Sequence, residues 1–528
     1  MERLGRDKLN LHKPQTVVER LFFDLASKGV KYVFGVPGDD PYVQKAIEDY
    51  STGVTMRDER SAAFAAQVAG RLTGLGVCTT SHGPGITNAV TGLAAARLER
   101  DPLLLVCSQL SRQNAREGHH GYVPSRALSS WAKKLVDCGK HEVSGVDVDS
   151  LLSIMNKPFR GPAVVILPDD ISCVNIKGEM HIETTTGMDI ESTINIVKNE
   201  QIIGDIVGLL ESSHKRVAVV GAGVIRSHAI DSVKLFLKEF SITATTTYHA
   251  KGVLGEAGDF ALCKHIKNWN DIPDVDLWIL IGVDMTEGLP PFWRNGKAKG
   301  RVIQVVEKIE YRGLTHTLSG NIHESLQTLC NYGHRRMTRH RDVLTLHRKP
   351  TNHPVEVLAA ESKHFEGRIT VDTGLFKHAW GVWGIASKCL QILFTNGLSI
   401  MGWSIGAAIG AALSTGEPCL AVIGDGGFSN AMAELFTISQ YNLPVSILII
   451  NDHRFGMIYR IQMQKLRDSY GVSLKGPRYK SIADSFGMRY LKMSDLPLKK
   501  WQDAFRFASS NPSLLEFEVD YSDFMKLD

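Results

Sequence analysis

Residues 424–457, GDGGFSNAMAELFTISQYNLPVSILIINDHRFGM, read as a strand end, a tight glycine turn, a helix and a second buried strand. Both strand ends carry an acid, Asp425 and Asp452, 27 positions apart. One helix and one strand between them is the spacing of a parallel crossover, so the two acids can meet at one sheet edge. Open parallel sheets bind ligands at the carboxyl ends of their strands. Gly424, Gly426 and Gly427 leave the backbone uncluttered there, and the amides that open the helix face any anion. Two carboxylates beside an anion site make physical sense when a Mg²⁺ ion sits between them and a diphosphate. The plainer alternative is that Asp425 caps its helix and Asp452 opens a loop; this stretch alone leaves both open.

Working outward, the same strand–helix alternation recurs in three blocks. VKYVFGVPG, GVCTTSHGPG, PLLLVCS and GPAVVILP are strand patterns, and ERSAAFAAQVAGRLTG and ITNAVTGLAAARLE between them have helical composition, the first rich in small residues suited to close packing on a sheet. Alternation of this kind predicts parallel, doubly wound α/β sheets. The polar stretch 173–193 and the basic stretch 333–353 read as linkers. The expected domains are therefore 1–180, 190–335 and 350–528, the last holding the opening stretch. A chain of 528 residues is too long for a single core in any case.

Composition narrows the function classes. With 43% hydrophobic and 22% charged residues the chain is an ordinary globular one. A net charge of +4 spread over this length gives no reason to expect nucleic acid as a partner. No apolar run reaches the ~18 residues of a membrane span. Eight scattered cysteines without a CxxC pair favour a reducing compartment, and MERLGRDKLNLHKPQ lacks the apolar core of a secretion signal. A cytoplasmic location is the expectation.

In the second block, GAGVIR follows a strand and invites a dinucleotide reading. Arg226 stands where the third glycine would be, and no acidic residue follows at the required distance. A glycine turn joining strand to helix is the better account.

The opening stretch resembles the signature of the thiamine-diphosphate-dependent family of acetolactate synthase, pyruvate decarboxylase and benzoylformate decarboxylase: GDG, roughly 25 residues, then Asn-Asn. VFGVPGDDPY (33–42), RDERSAAFAAQVAGRLTG (57–74), SHGPGITNAVTGLAAARLERDPLLLVCSQ (81–109) and TNGLSIMGWSIGAAIGAAL (395–413) look like the family's other blocks in its order, and acetolactate synthase is the nearest in style. The resemblance implies a pyrimidine-binding, a central and a diphosphate-binding domain. It implies thiamine diphosphate with Mg²⁺ held by Asp425, Asp452 and the main-chain oxygen of Arg454. Asp452 departs from the family's usual Asn.

Further positions carry over in the same way. Gly424, Gly426, Gly427, Phe455, Gly456 and Met457 match the diphosphate cradle, and Pro37, Asn88 and Gly374 belong to matching cofactor-binding blocks. Glu59 matches the glutamate on the aminopyrimidine ring, with a helix cap as its alternative. Met401 matches the residue that props the cofactor in its bent form, and the Ser399 carbonyl is placed to orient its amino group. The family's site lies between two subunits, which implies a homodimer or homotetramer.

The shared chemistry takes a small 2-oxo acid, removes CO₂, and either releases an aldehyde or joins the remainder to an acceptor carbonyl. The discriminating letters are mixed. Val123 and Ile461 replace acetolactate synthase residues, and IGVDMTEGL lacks the arginine of its flavin loop, so FAD is not expected. Asp39, with His119 or His120, resembles the proton donors of pyruvate decarboxylase, whereas Ile458 replaces an acid of that enzyme. The expectation is an acetolactate-synthase-like carboligase, with simple decarboxylation as the alternative.

Overall fold

The computed structural model describes residues 13–139, 145–157, 159–176, 200–255, 275–287, 301–307, 314–333 and 353–521. Most of both expected linkers, 173–193 and 333–353, lies outside the described residues.

Among the described residues the strands form three sheets. In the first, β1 (Tyr32–Gly35), β2 (Thr52–Thr55), β3 (Gly76–Thr80), β4 (Leu103–Gln109), β5 (Lys134–Asp137) and β6 (Ala163–Pro168) take the order β2-β1-β3-β4-β6-β5. In the second, β7 (Arg216–Val220), β8 (Thr243–Thr246), β9 (Leu277–Ile281), β10 (Arg301–Val306) and β11 (His316–Ser319) run β11-β10-β9-β7-β8. The third orders β12 (Arg368–Val371), β13 (Ile392–Phe394), β14 (Cys419–Gly424), β15 (Val445–Asn451), β16 (Arg489–Lys492) and β17 (Ser513–Glu518) as β13-β12-β14-β15-β17-β16. Every ladder is parallel. The fold class is therefore the α/β arrangement of three parallel sheets read from the sequence. Central strands β4 and β15 are buried at all seven positions, as strands covered by helices on both faces must be.

The first and third sheets share a core. Helix Glu59–Thr73 lies along helix Trp403–Thr415, and their buried residues belong to one apolar cluster. Small residues permit this approach. A Cβ added at Gly406 would fall 2.7 Å from the Ser61 carbonyl oxygen, and one at Gly410 would fall 2.1 Å from that of Ala65. The alanines of SAAFAAQVAG thus serve a second helix as well as their own sheet. Gln67 adds polar register, accepting from Trp403 Nε1 at 3.0 Å and donating to Asp101 at 2.8 Å.

Candidate active site

β14 ends at Gly424, and Asp425 is the first residue of helix Asp425–Ala431. Gly424 pairs with Ile450 in β15, which brings Asp452, two residues further on, to the same edge. The carboxyl ends of β12 to β15, four neighbouring strands, enclose a cavity of about 270 Å³. Gly374 enters it after β12, Ser399 and Met401 after β13, and the Gly424–Gly427 turn after β14. Asp452, Arg454, Phe455, Gly456 and Met457 close it after β15. All the third-domain residues that the resemblance assigns to cofactor or metal therefore line one space, while Ile461 does not.

The glycines are sterically required. A Cβ at Gly426 would lie 2.8 Å from the Phe455 ring and 3.2 Å from Met401 Cε. One at Gly456 would lie 2.3 Å from Asp452 Oδ2.

The acids are in unusual surroundings. Gly424, the residue before the helix, makes no side-chain cap, and Asp425 Oδ1 accepts from the adjoining Gly426 amide at 2.9 Å. Asp425 is thus no helix cap. Its Oδ2 is buried without a hydrogen-bond partner among the described residues. Burial raises the Asp425 pKa. Burial, then the nearby Asp425 charge, pushes Asp452 up to about 7, with Arg454 opposing. Two partly desolvated acids at close quarters disfavour double ionisation, and a cation between them would relieve it. Among the described residues no three His, Cys, Asp or Glu side chains converge on a metal position. A cation here would need main-chain, water or ligand oxygens to complete its shell.

The turn bearing Met401 is anchored by Asp372, a buried acid that follows β12 as Asp452 follows β15. It accepts from the Gly402 amide at 2.9 Å and from the Ser404 amide and hydroxyl at 3.3 Å each. Burial lifts its pKa to about 7. Ser399 and Gly402 take the left-handed backbone (φ +53° and +85°) that turns Met401 inward toward Gly426. Sequence reading missed Asp372, although an acid at a third strand end was legible in RITVDTG. It also missed Tyr521, which lines the cavity from a segment with no local pattern.

The first-domain candidates gather at their own sheet edge and do not line this cavity. Asp58, not Glu59, caps helix Glu59–Thr73, through the Arg60 amide at 2.7 Å and the Ser61 amide at 3.3 Å. That leaves Glu59 to accept from Asn88 Nδ2 at 3.1 Å, with Gly85 beside its other oxygen. The third domain steadies this corner: buried Glu434 accepts from the Arg57 amide at 3.1 Å.

Pro37 is exposed at the same edge. Asp40 caps the next helix, so Asp39 projects outward, its side chain 81% exposed. The imidazole lying against it is His82, with Nδ1 3.7 Å from Asp39 Oδ2 and the ring packed over Gly121. His119 turns instead toward the His120 carbonyl oxygen, Nδ1 at 3.2 Å, and His120 is exposed.

The glycine turn of the second sheet is filled. Glu287 accepts from the Ala222 amide at 3.0 Å, from the Asp284 amide at 2.8 Å and from the Thr247 hydroxyl. A Cβ at Gly221 would meet Glu287 Oε2 at 2.5 Å. Arg226 pairs with Asp284, which also binds Arg100 at 2.8 Å. The amide that a nucleotide phosphate would use is bonded to this chain's own carboxyl.

The site is a cavity rimmed by four strand ends, floored by glycines and lined by two buried acids on an α/β scaffold. Comparison with known proteins gives the class. Residues 15–127 match the thiamine pyrophosphate enzyme N-terminal TPP binding domain, and residues 372–517 match the C-terminal TPP binding domain. The chain belongs to the thiamine pyrophosphate enzymes and is a thiamine-diphosphate-dependent enzyme.

Its relatives include the acetolactate synthase of Bacillus subtilis, 25% identical over 95% of this chain and 93% of the relative. The acetolactate synthase large subunit of Pyropia yezoensis is 26% identical over 97% and 93%. The isozyme 2 large subunit of Escherichia coli is 26% identical over 88% of each. The acetolactate-synthase-like style read from the motifs thus holds along nearly the whole chain. Among the described residues no helix is long and apolar enough to cross a membrane.

Proposed function

We propose that this enzyme decarboxylates a small 2-oxo acid and passes the remaining acyl unit to an acceptor carbonyl, using thiamine diphosphate held through Mg²⁺. The observation that carries the reading is the Asp425–Asp452 pair, buried in a glycine-floored cavity with one oxygen lacking any donor. A divalent ion suits that pair: it supplies the missing charge and accepts hard oxygen ligands. Asp425, Asp452 and the Arg454 carbonyl would hold it, and the glycine turn would receive the diphosphate. Thiamine diphosphate, when bound, supplies the nucleophilic carbon that lets a 2-oxo acid lose CO₂.

The remaining roles belong to this chain's side chains. Met401, which packs toward Gly426, would support the bound cofactor, and the Ser399 carbonyl would accept from its amino group. Glu59, held by Asn88, would exchange a proton with the cofactor's aminopyrimidine ring. Because the described cavity lining belongs to the third domain, Glu59 would reach it from a second copy of the chain in a homodimer or larger assembly. We assign proton donation toward substrate to Asp39 and to the histidine against it, His82, in place of His119 and His120. The buried free thiols Cys78, Cys107, Cys138, Cys330 and Cys419 suit a reducing cytoplasm.

The test is product analysis with a panel of 2-oxo acids, with and without aldehyde acceptors. Ligated hydroxyketone or hydroxy acid supports the proposal; aldehyde alone would replace it with simple decarboxylation. Glu59→Gln should bind cofactor normally yet lose roughly 10²–10⁴-fold in turnover, the usual scale of general acid–base catalysis. Normal turnover in that variant would remove the assignment. His82→Asn should shift the ratio of ligated to protonated product, while His119→Asn and His120→Asn leave it unchanged. The opposite pattern returns the role to the pair.

A further inference from the structure

The loop that carries Ser399 and Met401 has little apolar anchorage: Leu398 and Ser399 are exposed, and Ile400 and Met401 are half-buried. Polar tethers hold it instead. At its far end, Asp372 grips Gly402 and Ser404 from within the third domain. The near end is gripped from elsewhere. Glu99, the last residue of first-domain helix Pro84–Glu99, has a fully buried side chain whose Oε1 accepts from the amides of Asn396 (2.6 Å) and Gly397 (2.5 Å).

The contact is tight, because a Cβ at Gly397 would lie 2.7 Å from Leu98 Cβ and 3.3 Å from Glu99 Oε1. Glu99 Oε2 faces Arg71 at 3.5 Å and His249 of the second domain at 3.3 Å. The Asn396 side chain donates to the Thr286 carbonyl of the second domain at 2.5 Å. All three domains therefore meet at the root of this loop.

We propose that Glu99 is a positioning residue for the cofactor: it fixes the Asn396–Gly397 amides and, through them, the height of Met401 over Gly426. This rests on the reading of the cavity as the thiamine diphosphate site. A buried carboxyl receiving two backbone amides is a strong, directional anchor, and charge-assisted hydrogen bonds are the costly ones to lose. Asp101, two residues away, provides the matched control. It lies in the same buried cluster but binds side chains, Arg71 at 2.7 Å and Gln67 at 2.8 Å, in place of the loop amides.

The experiment compares Glu99→Gln with Asp101→Asn and wild type. Cofactor affinity is read by tryptophan fluorescence at saturating Mg²⁺, and loop order by hydrogen exchange at residues 396 and 397. Glu99→Gln should weaken thiamine diphosphate about 10-fold, the scale of a lost charge-assisted hydrogen bond. It should also speed exchange at those amides and leave the KM for the 2-oxo acid nearly unchanged. Asp101→Asn should change cofactor affinity less than about 2-fold even where it lowers Tm. Wild-type affinity and protection in Glu99→Gln overturn the proposal, and so does an equal affinity loss in Asp101→Asn. If Glu99→Gln does not fold, exchange in the wild-type apoprotein decides: unprotected amides at 396 and 397 overturn the clamp. Failure of wild type to bind thiamine diphosphate, with those amides protected, would instead remove the functional reading.

Discussion

Two glycine turns in this chain follow a buried parallel strand and lead into a helix, and they have opposite fates. At Gly221–Gly223 the carboxyl of Glu287 occupies the amides, and Arg226 locks onto Asp284. At Gly424–Gly427 the Gly426 amide donates to the adjoining Asp425, and two acids face a cavity with one Asp425 oxygen left over. Similar letters produce a self-satisfied joint in one place and an unsatisfied one in the other. Binding capacity lies in what the turn lacks rather than in the glycines themselves, since a buried polar group without a partner is costly unless a ligand supplies one.

The comparison breaks most readily at the open turn. Asp425→Ala should lower cofactor affinity in Mg²⁺ by more than about 100-fold, beyond the 10–100-fold typical of second-shell ligand losses, as read by cofactor titration. A smaller but diagnostic effect should follow Gly426→Ala. The added methyl collides with Phe455 and crowds Met401, at a cost of about 1–3 kcal/mol that should appear as weaker cofactor binding. Gly223→Ala meets Gly282 Cα and its carbonyl oxygen at 2.8 Å, so the same change in the filled turn should lower Tm and leave cofactor affinity alone. Equal binding losses in the two variants would erase the distinction between the turns.

The effect on cofactor binding is smallest for protons at the filled turn, where stability is what changes. Burial, then the Asp284 charge, raises the Glu287 pKa from 4.5 to about 7. The folded state thus holds a proton that the unfolded state has released between those values, so this group makes stability fall as pH rises from about 4.5 to about 7. Above 7 the loss is complete. Without added divalent cation, Glu287→Gln should flatten the fall of stability across that window by up to one proton's slope, about 1.4 kcal/mol per pH unit. Melting curves from pH 5 to 8 check it; an unchanged slope would mean that Glu287 is ionised in the fold.

The long buried strands and small-residue helices were legible because burial on both faces dictates their letters. β2 (TGVT), β5 (KLVD) and β16 (RYLK) were not, since they are short, lie at sheet edges and carry half-polar patterns. The third-domain site could be read because it is built from strand ends that glycines and acids punctuate. His82 against Asp39 could not, since that contact depends on how the SHGPG and GHHGY loops fold over one another through Gly83 and Gly121. Glu99 also escaped notice: as an acid ending a helix it looked like any surface residue, and its partners lie 297 and 298 positions away.

Titration calorimetry of the apoprotein with thiamine diphosphate at pH 7, with Mg²⁺ and then with a chelator, tests the central claim most directly. The account predicts saturable binding with the metal, loss of that binding on chelation, and no metal-dependent binding in Asp425→Ala. Binding that ignores both the chelator and the substitution would contradict it.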